Sequence, residues 1–211
     1  MTEHQKVKDT PVSPARSLGL SDDAFEQRRP LRGQITKREV RAVSLYSLGL
    51  RPDSVVWDIG AGTGSVALEA ALIAHRGRVY AIERDPEGLP LLERNVARLG
   101  QGNVQVVPGE APAALAALPG PDSVFVGGSG GRLAEVLDEV VRRLKPQGRV
   151  VVNLAALERA QESYHRLQDL GLTAELVMVS AARGKEMGDG TVRLEALNPV
   201  FVVTGWRESL P

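Results

Sequence analysis

The chain contains no cysteine, which excludes disulfides, thiolate metal sites and cysteine nucleophiles together and suits a reducing compartment. It has no excess of either charge. Lys plus Arg and Asp plus Glu number 26 each, so the strongly basic field that nucleic-acid binding draws on is missing. No apolar run approaches the roughly 20 residues of a membrane span, and the opening MTEHQKVKDT has no apolar stretch of the signal-peptide kind. His4 falls in the opening arm and His75 and His165 on separate helical stretches, a scatter that argues against a metal site. These absences lead us to expect a cytoplasmic, soluble chain without metal, nucleic acid or membrane partner. With 211 residues, 43% of them apolar, it is long enough for one domain with a sizeable core.

Residues 1–17 mix charge, Ser and Pro without periodicity and read as a mobile arm, leaving 18–211 as a single domain. From Asp53 the order is regular. SVVWDIG, RVYAIERD, NVQVVPG, DSVFVGG and GRVVVNL are short β-rich runs closed by Gly, Pro or Asp. Between them SVALEAALIAH, PEGLPLLERNVARLG, EAPAALAAL and RLAEVLDEVVRRLK carry apolar residues at helical spacing. After a further helix, ALERAQESYHRLQDLG, the segments TAELVMVSAAR and RLEALNPVFVVTGW flank polar KEMGDGT and read as a hairpin closing the sheet edge. The alternation predicts an α/β, Rossmann-like fold: a mainly parallel seven-stranded sheet, helices on both faces and an antiparallel C-terminal hairpin. Trp57, inside the first strand, is expected in the core.

The first strand runs into AGTGSVALEA, so Gly60, Ala61, Gly62, Thr63 and Gly64 form a tight turn opening a helix at the carboxyl edge of the sheet, where open α/β folds bind ligands. The spacing G-x-G-x-G departs from the G-x-G-x-x-G of dinucleotide sites. Glu83 ends the second strand, where its carboxylate would reach two adjacent ribose hydroxyls, and GEAP (Gly109 to Pro112) follows the third, positioned to touch an adenine. Together these residues predict nucleoside binding. The strand pattern, DIGAGTG and Glu83 resemble the class I S-adenosylmethionine-dependent methyltransferases, which implies S-adenosyl-L-methionine as cofactor, with the glycine loop against its methionine part.

The run VFVGGSGG, Val124 to Gly131, ends the fourth strand beside the first and holds four glycines where backbone must pass close to something else. No Asn/Asp-Pro-Pro-aromatic sequence stands there, unlike methyltransferases of exocyclic base nitrogens or glutamine amides. Gly127, Gly128, Ser129, Gly130 and Gly131 read instead as an open floor with free N–H groups ahead of a helix, suited to a broad, flat, acidic substrate. A tight connection in a tolerant loop is the plainer reading of the same residues.

GQITKREVRA (33–42), VVNLAALE (151–158), RLEALNPVFVV (193–203) and FVGGSGG, in that order, resemble the decarboxylating cobalt-precorrin-6B carbon-15 methyltransferases of corrin biosynthesis. The same domain forms the C-terminal half of precorrin-6Y C5,15-methyltransferases. The resemblance covers roughly residues 18–205. It implies methylation of carbon 15 and loss of carbon dioxide from the acetate side chain on carbon 12, in cobalamin biosynthesis, by a homo-oligomer with four subunits. It also carries the cofactor residues over to Thr36, Gly60 to Gly64, Glu83 and Ala111. An electron-rich ring carbon is its own nucleophile, so contact between carbon and methyl supplies much of the acceleration and no strong base is needed. Loss of carbon dioxide sends electrons into the conjugated ring and is favoured where the departing carboxylate is desolvated rather than clamped by a cation.

Arg32, Lys37, Arg38, Arg132, Arg183 and Lys185 lie in segments that could meet the substrate's carboxylates, although a solvated charge is the plainer reading of each. Asn153, ending the fifth strand, is the polar side chain best placed to face substrate, with local hydrogen bonding as the other reading. Tyr46 is a candidate for lining the pocket or for packing. Two rivals share the glycine loop and acidic strand end: a transfer-RNA adenine methyltransferase, and a nucleoside-binding subunit without turnover.

Overall fold

A computed structural model describes residues 18–27 and 35–208. The expected N-terminal arm and Arg32 fall outside the described residues. Five parallel strands come first: β1 (Val55–Ile59), β2 (Arg78–Glu83), β3 (Val104–Pro108), β4 (Ser123–Val126) and β5 (Arg149–Leu154). Helices α1 (Arg38–Ser47), α2 (Ser65–Ile73), α3 (Leu89–Leu99), α4 (Leu133–Arg143) and α5 (Leu157–Asp169) precede, separate and follow them. The chain then enters β6 (Thr173–Val179), β7 (Ala182–Glu186), β8 (Val192–Ala196) and β9 (Val200–Trp206).

The seven-stranded sheet has the order β3-β2-β1-β4-β5-β9-β6, with β9 antiparallel to both neighbours. Strand order therefore reverses between β1 and β4, and their carboxyl ends open a crevice at that point. Alternation along each strand sorts the two faces. Trp57 and Ile59 join α4 and α5 in one apolar cluster, while Val56, Val79 and Val151 join α1, α2 and α3 in the other. Trp57 is fully buried, as its strand position predicts.

EAPAALAAL departs from the helix its periodicity predicts: only Ala113–Leu115 turn, as one 3₁₀ segment. Pro112 and Pro119 bracket it and leave fewer than two helical turns between them. The C-terminal hairpin is present but longer and bent. β6 is the outermost strand and β9 lies inside it, and beyond Val179 the hairpin leaves the main sheet as the two-stranded ribbon β7-β8. Leu197 N–H donating to the Ala181 carbonyl at 2.9 Å keeps the ladder continuous through the bend.

A buried charge network fastens the segment before α1 to this frame. Arg41, 1% exposed, donates to Glu69 of α2 at 2.9 Å and to Asp22 at 3.3 Å. Asp22 also accepts the Arg38 N–H at the open end of α1, supplying from a distance the cap that Lys37 does not give. Arg183 of β7 reaches back to Asp22 at 2.7 Å and to Glu39 at 2.6 Å, so the ribbon is tied to the same cluster. Removing Arg41 would leave the buried Glu69 carboxylate without its cation and Asp22 with Arg183 alone, and Arg41→Met is expected to destabilise by about 3 to 5 kcal/mol in denaturant melts.

Hydrogen bonds from Arg183 hold the Glu39 carboxyl down at about 2, against an ordinary 4.5. A depressed acid contributes stability that is complete above its unfolded value and fades as pH falls towards the folded one. Stability should therefore drop between about pH 4.5 and about pH 2 through this group. Glu39→Gln is expected to flatten that part of the pH profile in acid titrations of unfolding.

Candidate functional site

The crevice between β1 and β4 holds a cavity of about 190 Å³, lined by Ile59 and Gly60 after β1, Ile82 to Arg84 at the end of β2, Gly109 to Ala111 after β3, and Gly128 to Gly130 after β4. Four strand ends thus converge on one space. The two glycine loops meet backbone to backbone. A Cβ at Gly60 would lie 2.6 Å from the Gly128 carbonyl oxygen and 2.7 Å from its nitrogen, and Gly60 has φ +72°. Only glycine fits there. The expected close approach of VFVGGSGG is therefore to the β1 loop, and its N–H groups are not all free: those of Gly127 and Gly128 donate to the Ile59 carbonyl at 2.9 and 3.3 Å. That corrects the picture of an open floor.

Gly130 passes under an ion pair that spans the cavity rim, Arg84 to Glu110 at 2.7 Å. Glu83, 8% exposed, is held by the loop it faces: one carboxylate oxygen accepts the Gly62 N–H and the other the Asp85 N–H, both at 2.8 Å. Each oxygen keeps a lone pair for a further donor. Ala111 is buried at the opposite wall. Ala61, Gly62, Thr63 and Gly64 turn away behind Gly60 and lead into α2, and Asn95 of α3 donates to the Thr63 carbonyl at 3.0 Å.

Among the remaining candidates, Ser129 lines the cavity, while Gly127 and Gly131 are in its loop without lining it. Thr36 stands ahead of α1, outside the cavity lining, its carbonyl accepting from Arg41 at 2.6 Å. Asn153 donates to Ser44 of α1 at 2.9 Å, so its amide ties β5 to that helix. Arg183 is engaged by Glu39 and Asp22, Arg132 pairs with Glu135, Arg38 with Glu39 and Lys185 with Glu195. Tyr46, 88% exposed, neither packs nor lines the cavity. No cluster of three metal-ligating side chains occurs among the described residues.

Asp58, inside β1 two residues ahead of Gly60 and outside the cavity lining, had no signal beyond the DIG sequence. It is 1% exposed, its Oδ2 accepts the Ala67 N–H of α2 at 2.8 Å, and its Oδ1 has no partner. Burial chiefly, opposed by that N–H and helped by the nearby Glu83 charge, pushes its carboxyl up to about 7. Thr63 Oγ1 is likewise buried without a partner. Two orphaned polar atoms beside a cradle that a Cβ would fill suit a polar ligand lying against the loop.

A seven-stranded sheet of this order, with a glycine cradle and an acidic strand end at its switch point, defines a class I methyltransferase fold. The family profile of the precorrin methyltransferase domain matches residues 23–209, and the chain belongs to that family. It is 38% identical over 193 residues to the cobalt-precorrin-6B C(15)-methyltransferase (decarboxylating) of Salmonella typhimurium, covering 90% of this chain and 96% of that one. A crystal structure named precorrin-6Y C5,15-methyltransferase, from Geobacter metallireducens, superposes with a TM-score of 0.84 at 41% identity, covering 90% of this chain and 98% of that one. One named precorrin 8W decarboxylase, from Methanobacterium thermoautotrophicum, gives 0.81 at 37% identity, covering 89% and 99%.

The raised Asp58 carboxyl has a testable sign. An acid whose folded value lies above its unfolded value opposes folding progressively as pH climbs between them, here from 3.8 to about 7. Asp58→Asn, which needs no proton to be neutral, is expected to gain on the ligand-free parent by about 1 kcal/mol per pH unit across that window. The two should converge at the acid end in urea melts run at a series of pH values.

Proposed function

We propose that this chain methylates carbon 15 of a precorrin macrocycle and decarboxylates its carbon-12 acetate in cobalamin biosynthesis, with S-adenosyl-L-methionine as methyl donor. One observation carries the reading: the glycine cradle, Glu83 and the GEAP wall face a single cavity, in a chain whose relatives bear that activity in their names. When bound, the cofactor supplies an electrophilic methyl group. Glu83 offers its two free lone pairs to the ribose hydroxyls, Ala111 packs beside the adenine, and the loop Gly60 to Gly64 carries the methionine part. Thr36 would join them only by closing over the crevice from the start of α1.

Gly127 to Gly131 form the acceptor side. Because Gly128 sits against Gly60, one loop would face both the macrocycle and the bound cofactor, and holding the two together there would supply much of the acceleration. Among the described residues at the rim, Arg84 is paired with Glu110, which leaves its charge satisfied and the departing carboxylate unclamped by it. Asn153 and Arg183 act in this reading through α1 and the ribbon, holding the frame that receives the substrate.

Residues 18–211 act as one domain. The ribbon presents Val192 and Leu194 on one face of β8, 68% and 77% exposed, which supports assembly of a homo-oligomer, a tetramer by family resemblance. No described helix is long and apolar enough to cross a membrane. A cytoplasmic site of action fits the absence of cysteine from the sequence.

Anaerobic incubation with S-adenosyl-L-methionine and cobalt-precorrin-6B, or its metal-free counterpart, is expected to give a product heavier by one methyl and lighter by one carbon dioxide in mass spectra. An unchanged macrocycle, with S-adenosylhomocysteine still binding, would overturn the substrate assignment while leaving the nucleoside site in place.

A further inference from the structure

At the opposite edge of the sheet, where β1 and β5 begin and β9 ends, lies a second groove of about 610 Å³. Its lining brings three guanidiniums, Arg51, Arg149 and Arg207, around the Trp206 indole, with Gly49, Gln147 and Glu208 completing it. Arg149 and Trp206 are cross-strand partners, and the guanidinium lies 5.9 Å from the ring centroid. The arginine is fixed on its other side: a Cβ at Gly49 would lie 2.9 Å from Arg149 Cδ, so the stem passes where no side chain fits. Its Nη1 donates to the Ser47 carbonyl at 3.3 Å, and Arg207 donates to the Val141 carbonyl at 2.9 Å.

The charges are unevenly balanced. Arg51 is paired with Asp122 at 3.1 Å, whereas Arg149 and Arg207 have no carboxylate partner among the described residues. Glu208 accepts from Thr173 Oγ1 at 2.9 Å. Two oriented, unneutralised guanidiniums with most of their donors available are an anion receptor, and the indole beside them adds a stacking surface. A second feature points the same way. Gln147, on the groove wall, has φ +61° in the turn ahead of β5, a conformation that disfavours a side chain, and backbone of this kind concentrates at ligand sites.

We propose that this groove binds an anion carrying a flat conjugated ring, its phosphates or carboxylates on Arg149 and Arg207 and its ring against Trp206. Its volume lies within the range of small-ligand sites, and it stands at the sheet edge away from the crevice. The proposal is independent of the methyl-transfer reading. Nucleotides and polycarboxylated tetrapyrroles share the required chemistry.

Calorimetric titration of the full chain with ADP, uroporphyrin and inorganic pyrophosphate tests it, in parallel with Arg207→Ala and Trp206→Leu. With the crevice filled by S-adenosylhomocysteine, ADP or uroporphyrin should bind in a step that Arg207→Ala weakens, and whichever does so identifies the source. Arg207→Ala, at an exposed position, should weaken binding about tenfold or more. Trp206→Leu should weaken the ring-bearing ligand and leave pyrophosphate unchanged. Pyrophosphate binding as tightly as the ring-bearing ligands would overturn the stacking role. No binding at millimolar concentrations, or binding that Arg207→Ala leaves unaltered, would overturn the site itself.

Discussion

Two backbone segments touch where β1 and β4 end, and the cavity exists because Gly60 carries no side chain at the contact. Parallel pairing places Ile59 beside Val126, so the chain leaving each strand emerges at the same height on adjacent strands. Gly60 turns at positive φ and Gly128 lies against it, their loops joined through the Ile59 carbonyl. A methyl group at Gly60 would force the two loops apart, and with them the wall shared by the glycine turn and the β4 loop. Glu83 then closes the third side, held by the Gly62 N–H from the turn it faces.

The rest of the molecule keeps these loops in place. Asp58 fastens the glycine turn to α2 through Ala67, and Asn95 fastens it to α3 through the Thr63 carbonyl and the Glu26 backbone. Farther out, Arg41 and Arg183 bind Asp22, Glu39 and Glu69 into one cluster that joins the segment ahead of α1, two helices and the C-terminal ribbon. A buried cluster of this kind adds little net stability over an apolar core, since desolvation offsets much of the attraction. What it adds is register: the charges match in one arrangement only. The ribbon and the segment ahead of α1 are thereby set at fixed positions relative to the sheet.

Much of the fold was readable because its signals are local. Five β-rich runs closed by Gly, Pro or Asp, alternating with amphipathic helices, imply a parallel sheet whatever their partners. The glycine turn and Glu83 announced themselves by position at strand ends. What the sequence did not show depends on distant partners. Nothing near Arg183 in sequence reveals that Glu39 and Asp22 pair with it from 144 and 161 residues away. Asn153 could be read as facing substrate or as hydrogen-bonding locally, and its actual partner Ser44 lies 109 residues earlier. EAPAALAAL has helical periodicity but too little length between its prolines, and Asp58 is marked only by burial, which a strand pattern does not reveal for one polar residue. The hairpin was legible, but its bend out of the sheet was not.

The most direct test of the central claim, that the Gly60 and Gly128 contact shapes the nucleoside site, is a crystal structure with S-adenosylhomocysteine bound. The account predicts the adenosine between Glu83 and Ala111, both ribose hydroxyls on the Glu83 carboxylate, and the homocysteine against the glycine turn under the β4 loop. A nucleoside bound away from Glu83, or glycine loops separated to admit it, would contradict that claim.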